Sequence, residues 1–162
     1  GFGVLLTVFG MTAAEGKKRV PLKIPAVVLS WVFFVFSFIY GNALSVQKNY
    51  TDFRTQLVIS DLQEVEAFRS DAPVTVQLSG SIGKAPVLWN MPQNYQMLNR
   101  LIPDTFGGGD DLTQYGFYCY YDLQNVVWNP DVDLRKMDLP VLEDNMYHTI
   151  RGEGSYVLVE LK

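Results

Sequence analysis

IPAVVLSWVFFVFSFIYGNALSVQ, residues Ile24–Gln47, holds no Asp, Glu, Lys, Arg or His over 24 positions. At about 1.5 Å per helical residue the run reaches about 36 Å, enough to cross a hydrocarbon core of about 30 Å. Lys17, Lys18, Arg19 and Lys23 stand just before it. Basic residues in a short flanking loop stay on the cytoplasmic side, so the chain after Gln47 is expected on the far side of the membrane. Trp31, Phe33, Phe34, Phe36 and Phe38 are expected to face lipid or neighbouring spans. Tyr40 and Asn42 fall near the outer interface, where amphipathic groups are favoured. Pro25 suits a first helical turn, where its missing N–H costs nothing.

Upstream, GFGVLLTVFGMTAA (residues 1–14) is apolar but too short to span alone. It reads as the end of a preceding transmembrane helix, with residues 15–23 as a cytoplasmic basic loop, 24–45 as the next transmembrane helix and 46–162 as a periplasmic domain. The chain is thus expected to be the C-terminal piece of a longer, multi-pass protein of a bacterial inner membrane. The competing reading is a signal sequence with a basic leading region, but its apolar core usually runs only about 7–15 residues. The expected fold class is a membrane protein fragment: transmembrane α-helices followed by a small mixed α/β (α+β) extracytoplasmic domain ending in a β-hairpin.

The 117 residues from Val46 onward suffice for one core. Of 13 basic and 17 acidic residues in the chain, four and one precede Val46, so this part carries a net charge of −7. Bulk charge of that sign disfavours nucleic acid and anionic lipid headgroups and suits a soluble face that touches neutral sugars or nothing at all. Cys119 is the single cysteine, which excludes an internal disulfide and a cysteine zinc cluster.

Beyond Val46 an amphipathic helix is expected to continue to Arg69, with Tyr50, Phe53, Leu57, Leu62, Val65 and Phe68 on its packing face. Asp71-Ala72-Pro73 ends it. Pro73–Leu78 alternates as a strand, and Tyr95–Ile102 reads as a short helix with Met97, Leu98 and Leu101 inward. Tyr115–Leu123 fits strand or helix equally. Asn129–Pro140 reads as a polar loop. Tyr147–Arg151 and Ser155–Leu161 flank Gly152-Glu153-Gly154 as a hairpin whose last strand, YVLVELK, alternates.

Asp110 and Asp111 follow Gly107-Gly108-Gly109. Paired carboxylates can hold a cation or share acid and base work, but no partner ligand is visible in the chain and GGGDD reads first as an ordinary solvated loop. The glycines match no phosphate-cradle pattern. His148, the only histidine, has no acidic or serine partner at a recognisable spacing and reads as structural. Trp89, Asn90, Tyr95, Tyr115, Tyr118, Tyr120, Tyr121 and Trp128 make the domain aromatic-rich. Such rings fill cores, and they also stack on sugars while amides and carboxylates take hydroxyls. Trp89, Asn90, Asp110, Asp111, Tyr120 and Tyr121 are therefore the candidate substrate contacts. Asn49-Tyr50-Thr51 fits a glycosylation pattern but lies too near the membrane to count.

A last span leading into an outer helix ending VISDLQEV is followed by a strand closing at Gly80. Ala85-Pro86-Val87 with Asn90-Met91, then Leu101-Ile102-Pro103, Leu139-Pro140, Ile150 and Val157–Lys162 complete a layout. It resembles the C-terminal part of the bacterial integral-membrane glucosyltransferase II family, which modifies O-antigen. It departs where Leu139-Pro140-Val141-Leu142 stands in place of Met-Pro followed by Tyr-Pro. The resemblance implies an enzyme that moves glucose from a polyprenyl-phosphate carrier to a polysaccharide hydroxyl, as on lipopolysaccharide, at the periplasmic face. A carboxylate would be the base and cations would meet the departing phosphate. In that family the catalytic carboxylate lies in an early loop, so none is assigned here. Lys48 and Arg54, near the outer interface, become candidate lipid-phosphate contacts, against a snorkelling or solvated role.

No cofactor is expected beyond the lipid-linked sugar donor, and the need for a metal is left open. The partners implied are a polyprenyl-phosphate-linked sugar, a polysaccharide acceptor and membrane lipid, with no nucleic acid. The alternative is a non-catalytic, membrane-anchored periplasmic module that binds a protein partner in envelope assembly or transport.

Overall fold

A computed structural model describes residues 3, 7, 8, 10, 11, 20–88, 96–104, 106, 125–127, 129 and 131–162. The chain divides into two units, Gly1–Ser45 and Val46–Lys162.

In the first unit Gly3, Thr7, Val8, Gly10 and Met11 are helical, and the Thr7 hydroxyl donates to Gly3 O at 2.9 Å. Helix α1 (Val20–Glu64) begins four residues before the expected start at Ile24. Pro21 falls in the first described turn, and Pro25 is inside the helix and not at its start. Pro25 lies one turn further in and denies the Pro21 carbonyl its usual donor. Lys17, Lys18 and Arg19 lie outside the described residues.

Among the described residues α1 is the one helix long and apolar enough to cross a membrane. Its apolar side chains are not sheltered by protein: Val27 is 69% exposed, Trp31 66% and Phe38 60%. A core helix of a water-soluble globule would have them covered, and so wide an apolar surface calls for lipid or another apolar partner. Two hydroxyls in this stretch are satisfied within the helix. Ser30 donates to Ala26 O and Ser37 to Phe33 O, each at 2.9 Å.

In the second unit α1 supplies one layer and a five-stranded mixed sheet the other. The strands are β1 (Val74–Gly80), β2 (Val126–Val127), β3 (Val141–Asp144), β4 (His148–Glu153) and β5 (Tyr156–Leu161), in the order β2-β1-β5-β4-β3. β1 runs parallel to both β2 and β5, while β5–β4 and β4–β3 are antiparallel. The alternation of VTVQLSG sends Val74, Val76 and Leu78 to the helix side, where they meet Val58 and Leu62 of α1 and Ile150, Val157 and Val159. On the other face Leu158 packs with Leu134 and Leu139. β5 is therefore buried on both faces, so YVLV is a continuous apolar run of a central strand and not an alternating one. Leu134 and Leu139 also correct the expectation of a purely polar Asn129–Pro140 loop: a 3-10 turn, Leu134–Lys136, delivers them inward.

α1 stops at Glu64 and a 3-10 turn, Glu66–Arg69, completes the stretch expected to be helical to Arg69. Of the expected packing face, Leu62, Val65 and Phe68 meet the core, while its start is turned away from it. Gln47, Arg54, Thr55, Val58 and Leu62 are buried, while Phe53 is 47% exposed and meets the Tyr147 ring edge-on at 5.8 Å. The short helix α2 (Gln96–Leu101) buries Leu98 and turns Met97 and Leu101 outward, because one and a half turns present a single apolar position to the core. β3, fully exposed along the sheet edge, was not foreseen, since VLED carries no alternation to mark it. Tyr115–Leu123 and Cys119 lie outside the described residues.

Candidate functional site

An open cleft of about 620 Å³ lies between the end of α1, edge strand β3 and the β4–β5 turn. Its wall carries Asp61, Glu64, Glu66, Glu143 and Glu153, with Leu142 and Val157 as apolar floor. Among the described residues no Lys or Arg lines it. The carboxylates are spread around the rim. Among the described residues no group of three or more His, Cys, Asp or Glu side chains is placed to hold a metal ion.

Asp61 is the ordered member. Its Oδ2 lies 2.9 Å from His148 Nε2 and accepts from Asn145 Nδ2, also at 2.9 Å. Asn145 is itself fixed, since its Oδ1 accepts the Tyr147 and His148 main-chain N–H groups at 2.9 Å each. Three segments therefore converge on one carboxylate: α1, the β3–β4 turn and the start of β4. His148 is fully buried, with no partner for Nδ1. Burial holds its pKa below the ordinary imidazole range, against the upward pull of the Asp61 charge. The neutral ring then carries its proton on Nε2, donates it to Asp61 and leaves Nδ1 as a buried lone pair. The Asn145 amide, 3.2 Å from the same Nε2, is in that tautomer a contact and not a bond. The result is a carboxylate with one oxygen clamped and its residue open to the cleft, a ready acceptor for a ligand hydroxyl or amine.

A testable pH dependence follows. The folded pKa of His148 lies below the 6.5 of the free ring, so the unfolded chain takes up a proton first on acidification. Stability from this group is complete above about pH 6.5 and falls as pH drops toward the folded value. Denaturant unfolding of the full chain between pH 7.5 and 5 is expected to show a falling midpoint. In His148→Gln, whose amide still donates to Asp61, that slope is expected to flatten.

On the opposite end of the sheet a second cavity, of about 490 Å³, is lined by Tyr50, Arg54, Ser81, Gly83, Lys84 and Lys162, among others. Arg54 is 3% exposed, which corrects its reading as a snorkelling or solvated cation. Its Nη1 donates to Tyr50 Oη at 2.8 Å, and its Nη2 to the main-chain oxygens of Tyr147 at 2.7 Å and Lys162 at 2.8 Å. Its Cζ stands 5.6 Å from the centre of the Tyr50 ring and 4.7 Å from that of Tyr147. The guanidinium is thus first a cross-tie between helix and sheet. Lys48 is exposed and pairs with Asp52 at 2.6 Å one turn on, an arrangement worth a few tenths of a kcal/mol.

The remaining candidates, Trp89, Asn90, Asp110, Asp111, Tyr120 and Tyr121, lie outside the described residues. The residues that sequence reasoning passed over are Asp61, Asn145 and the partnered role of His148. Asp61 had a signal: it occupies the i+3 position of the apolar face Val58, Leu62, Val65, where a carboxylate must find donors. Its donors come from 84 and 87 positions away, and no local spacing points to them. Comparison with known proteins finds no matching family model, no curated relative and no solved structure that matches.

Proposed function

We propose that this chain is the C-terminal part of a membrane glycosyltransferase that moves glucose from a polyprenyl-phosphate carrier to a cell-surface polysaccharide at the periplasmic face. The carrying observation is the clamped Asp61 carboxylate on the wall of an open cleft of about 620 Å³, a volume that takes a small saccharide. A wall of separate carboxylates with an apolar floor suits a hydroxyl-rich ligand: the oxygens take hydroxyl protons and the floor takes the ring C–H face. The long apolar helix that leads into this unit fits a donor carried by lipid. Asp61 here orients the acceptor, while the catalytic carboxylate is assigned to a loop outside residues 1–162. Trp89, Asn90, Asp110, Asp111, Tyr120 and Tyr121 remain the proposed additional sugar contacts.

The test is transfer of labelled glucose from polyprenyl phosphate in membranes that hold the full-length protein. Asp61→Asn keeps the shape and loses the charge. It is expected to raise the acceptor KM about tenfold, the size of one hydrogen bond to a charged group, with the donor KM unchanged. No transfer by the wild-type protein, with donor and acceptor verified, would overturn the reading.

A second reading rests on β3. All four of its residues are exposed on the sheet edge, with Val141 at 50% and Leu142 at 47%. Such an edge accepts an added strand, so a non-catalytic module that binds a protein partner in envelope assembly or transport is the alternative. It predicts no glucose transfer, and loss of partner capture on Leu142→Lys.

A further inference from the structure

Gln47 is the last residue of the uncharged run, and it also fastens a loop that lies far away in the sequence. It is buried. Its Nε2 donates to Gly83 O at 2.9 Å, and the Ala85 N–H donates to its Oε1 at 2.9 Å. Both ends of one side-chain amide thus hold the segment from Gly83 to Ala85 against the helix.

That segment runs into a 3-10 turn, Pro86–Leu88, closed by the Leu88 N–H, which donates to Ala85 O at 2.8 Å. Ala85 and Leu88 are buried and anchor the turn at either end. Between them Pro86 and Val87 are turned outward, with Val87 63% exposed. On a wetted surface one exposed valine is ordinary and calls for no partner. Depth decides whether this surface is wetted.

The run from Ile24 to Gln47 reaches about 36 Å, against a hydrocarbon core of about 30 Å. With its first residue at the inner edge of the core, Gln47 lies about 6 Å past the outer edge; with the run centred, about 3 Å past it. The interfacial layer on each side is about 5–8 Å deep, so Gln47 falls within it in both placements. Val87 follows Ala85 by two residues, a reach of at most about 7 Å. The tie to Gln47 therefore brings the Pro86-Val87 corner to the level of that layer.

The main chain of the loop suits such a place. Where water is scarce, each unsatisfied N–H is costly. The Gly83 N–H donates to Ser81 Oγ at 3.0 Å, those of Ala85 and Leu88 are bonded as described, and Pro86 has none to satisfy.

From these observations we infer that the Pro86-Val87 corner is immersed in the interfacial layer of the bilayer, with lipid as its partner. The contact gives residues 46–162 a footing on lipid of their own, besides the helix that carries them out. The valine side chain leaves water for the lipid boundary, and the pre-ordered loop loses little entropy in reaching it. The inference rests on α1 crossing the membrane and is independent of sugar transfer.

The experiment uses the full chain, ¹⁵N-labelled, in bicelles of uncharged phosphatidylcholine. Two relaxation agents are added in turn: a phosphatidylcholine that carries a nitroxide near its headgroup, and a gadolinium chelate confined to water. The Val87 amide signal is expected to be lost with the nitroxide lipid and kept with the chelate. Gly154, at the β4–β5 turn, is expected to behave in the opposite way. Phe38, inside the uncharged run, is the reference for a position screened from water. A Val87 signal lost to the chelate while Phe38 keeps its own would overturn the inference and leave the span standing. Loss of both to the chelate would overturn the span as well. A Val87 signal that survives the nitroxide lipid as well as Gly154 does would also overturn the inference.

Discussion

Replacing Arg54 by methionine should lower the unfolding free energy of the chain by about 4 kcal/mol, the scale on which removal of a buried, hydrogen-bonded charge is felt. Methionine matches the length of the stem and fills its space, so the loss reports on the guanidinium and not on a void. Three acceptors are stranded at once: Tyr50 Oη and the main-chain oxygens of Tyr147 and Lys162. The two carbonyl-side bonds join α1 to the start of β4 and the end of β5, so their loss loosens the helix from the sheet. Denaturant unfolding in detergent, followed by near-ultraviolet circular dichroism, measures the effect. Arg54→Lys is expected to recover less than half, since a single ammonium cannot reach all three oxygens in the fixed planes of the fork. A midpoint unchanged in Arg54→Met would show that the cross-tie contributes nothing net.

Gly80→Ala is the second large effect, with an expected loss of about 3 kcal/mol. Gly80 closes β1 with φ +87°, in the region that a side chain makes unfavourable. It also pairs with Leu161 in the parallel ladder, and a Cβ at this position would collide with the Leu161 main-chain oxygen. Strain at such a backbone site costs about 1–3 kcal/mol, and the collision adds to it because the atom struck is main chain. At Gly83, whose φ is also positive, the space for a Cβ is open. Gly83→Ala is therefore expected to cost only about 1 kcal/mol. Parallel unfolding curves of the two variants measure the difference, and equal losses would show that the close approach to β5 is not the cause.

The helix and hairpin were readable because their signals are local. Twenty-four uncharged residues, the VTV alternation and a Gly-bearing turn each report on their own neighbours. The hairpin forms, but its turn is Gly154-Ser155 and not Gly152-Glu153-Gly154: Gly152 and Glu153 pair with Val157 and Tyr156 inside the ladder, and Gly154 takes φ +59°. The packing face of α1 was read less well. Aromatic Phe53 was expected inward and charged Arg54 outward, on hydrophobicity alone. The order is reversed because two main-chain oxygens and two tyrosine faces make a polar socket for the guanidinium. Edge strand β3 was missed because both of its faces are wet, which erases the pattern that marks a strand.

Along the chain alone one can see a lipid-length apolar helix, an acidic 117-residue remainder with one core, and the strand that closes it. Those properties depend on composition and on spacings of two to four residues. Which charges stand together is another matter. Asp61 meets His148, Arg54 meets Lys162, and five carboxylates and three cations part into two separate cavities across one sheet. Each of these neighbours is made by β5 lying between β1 and β4, a pairing that joins residues about 80 to 110 positions apart, and electrostatics follows distance in space, which residue order does not encode.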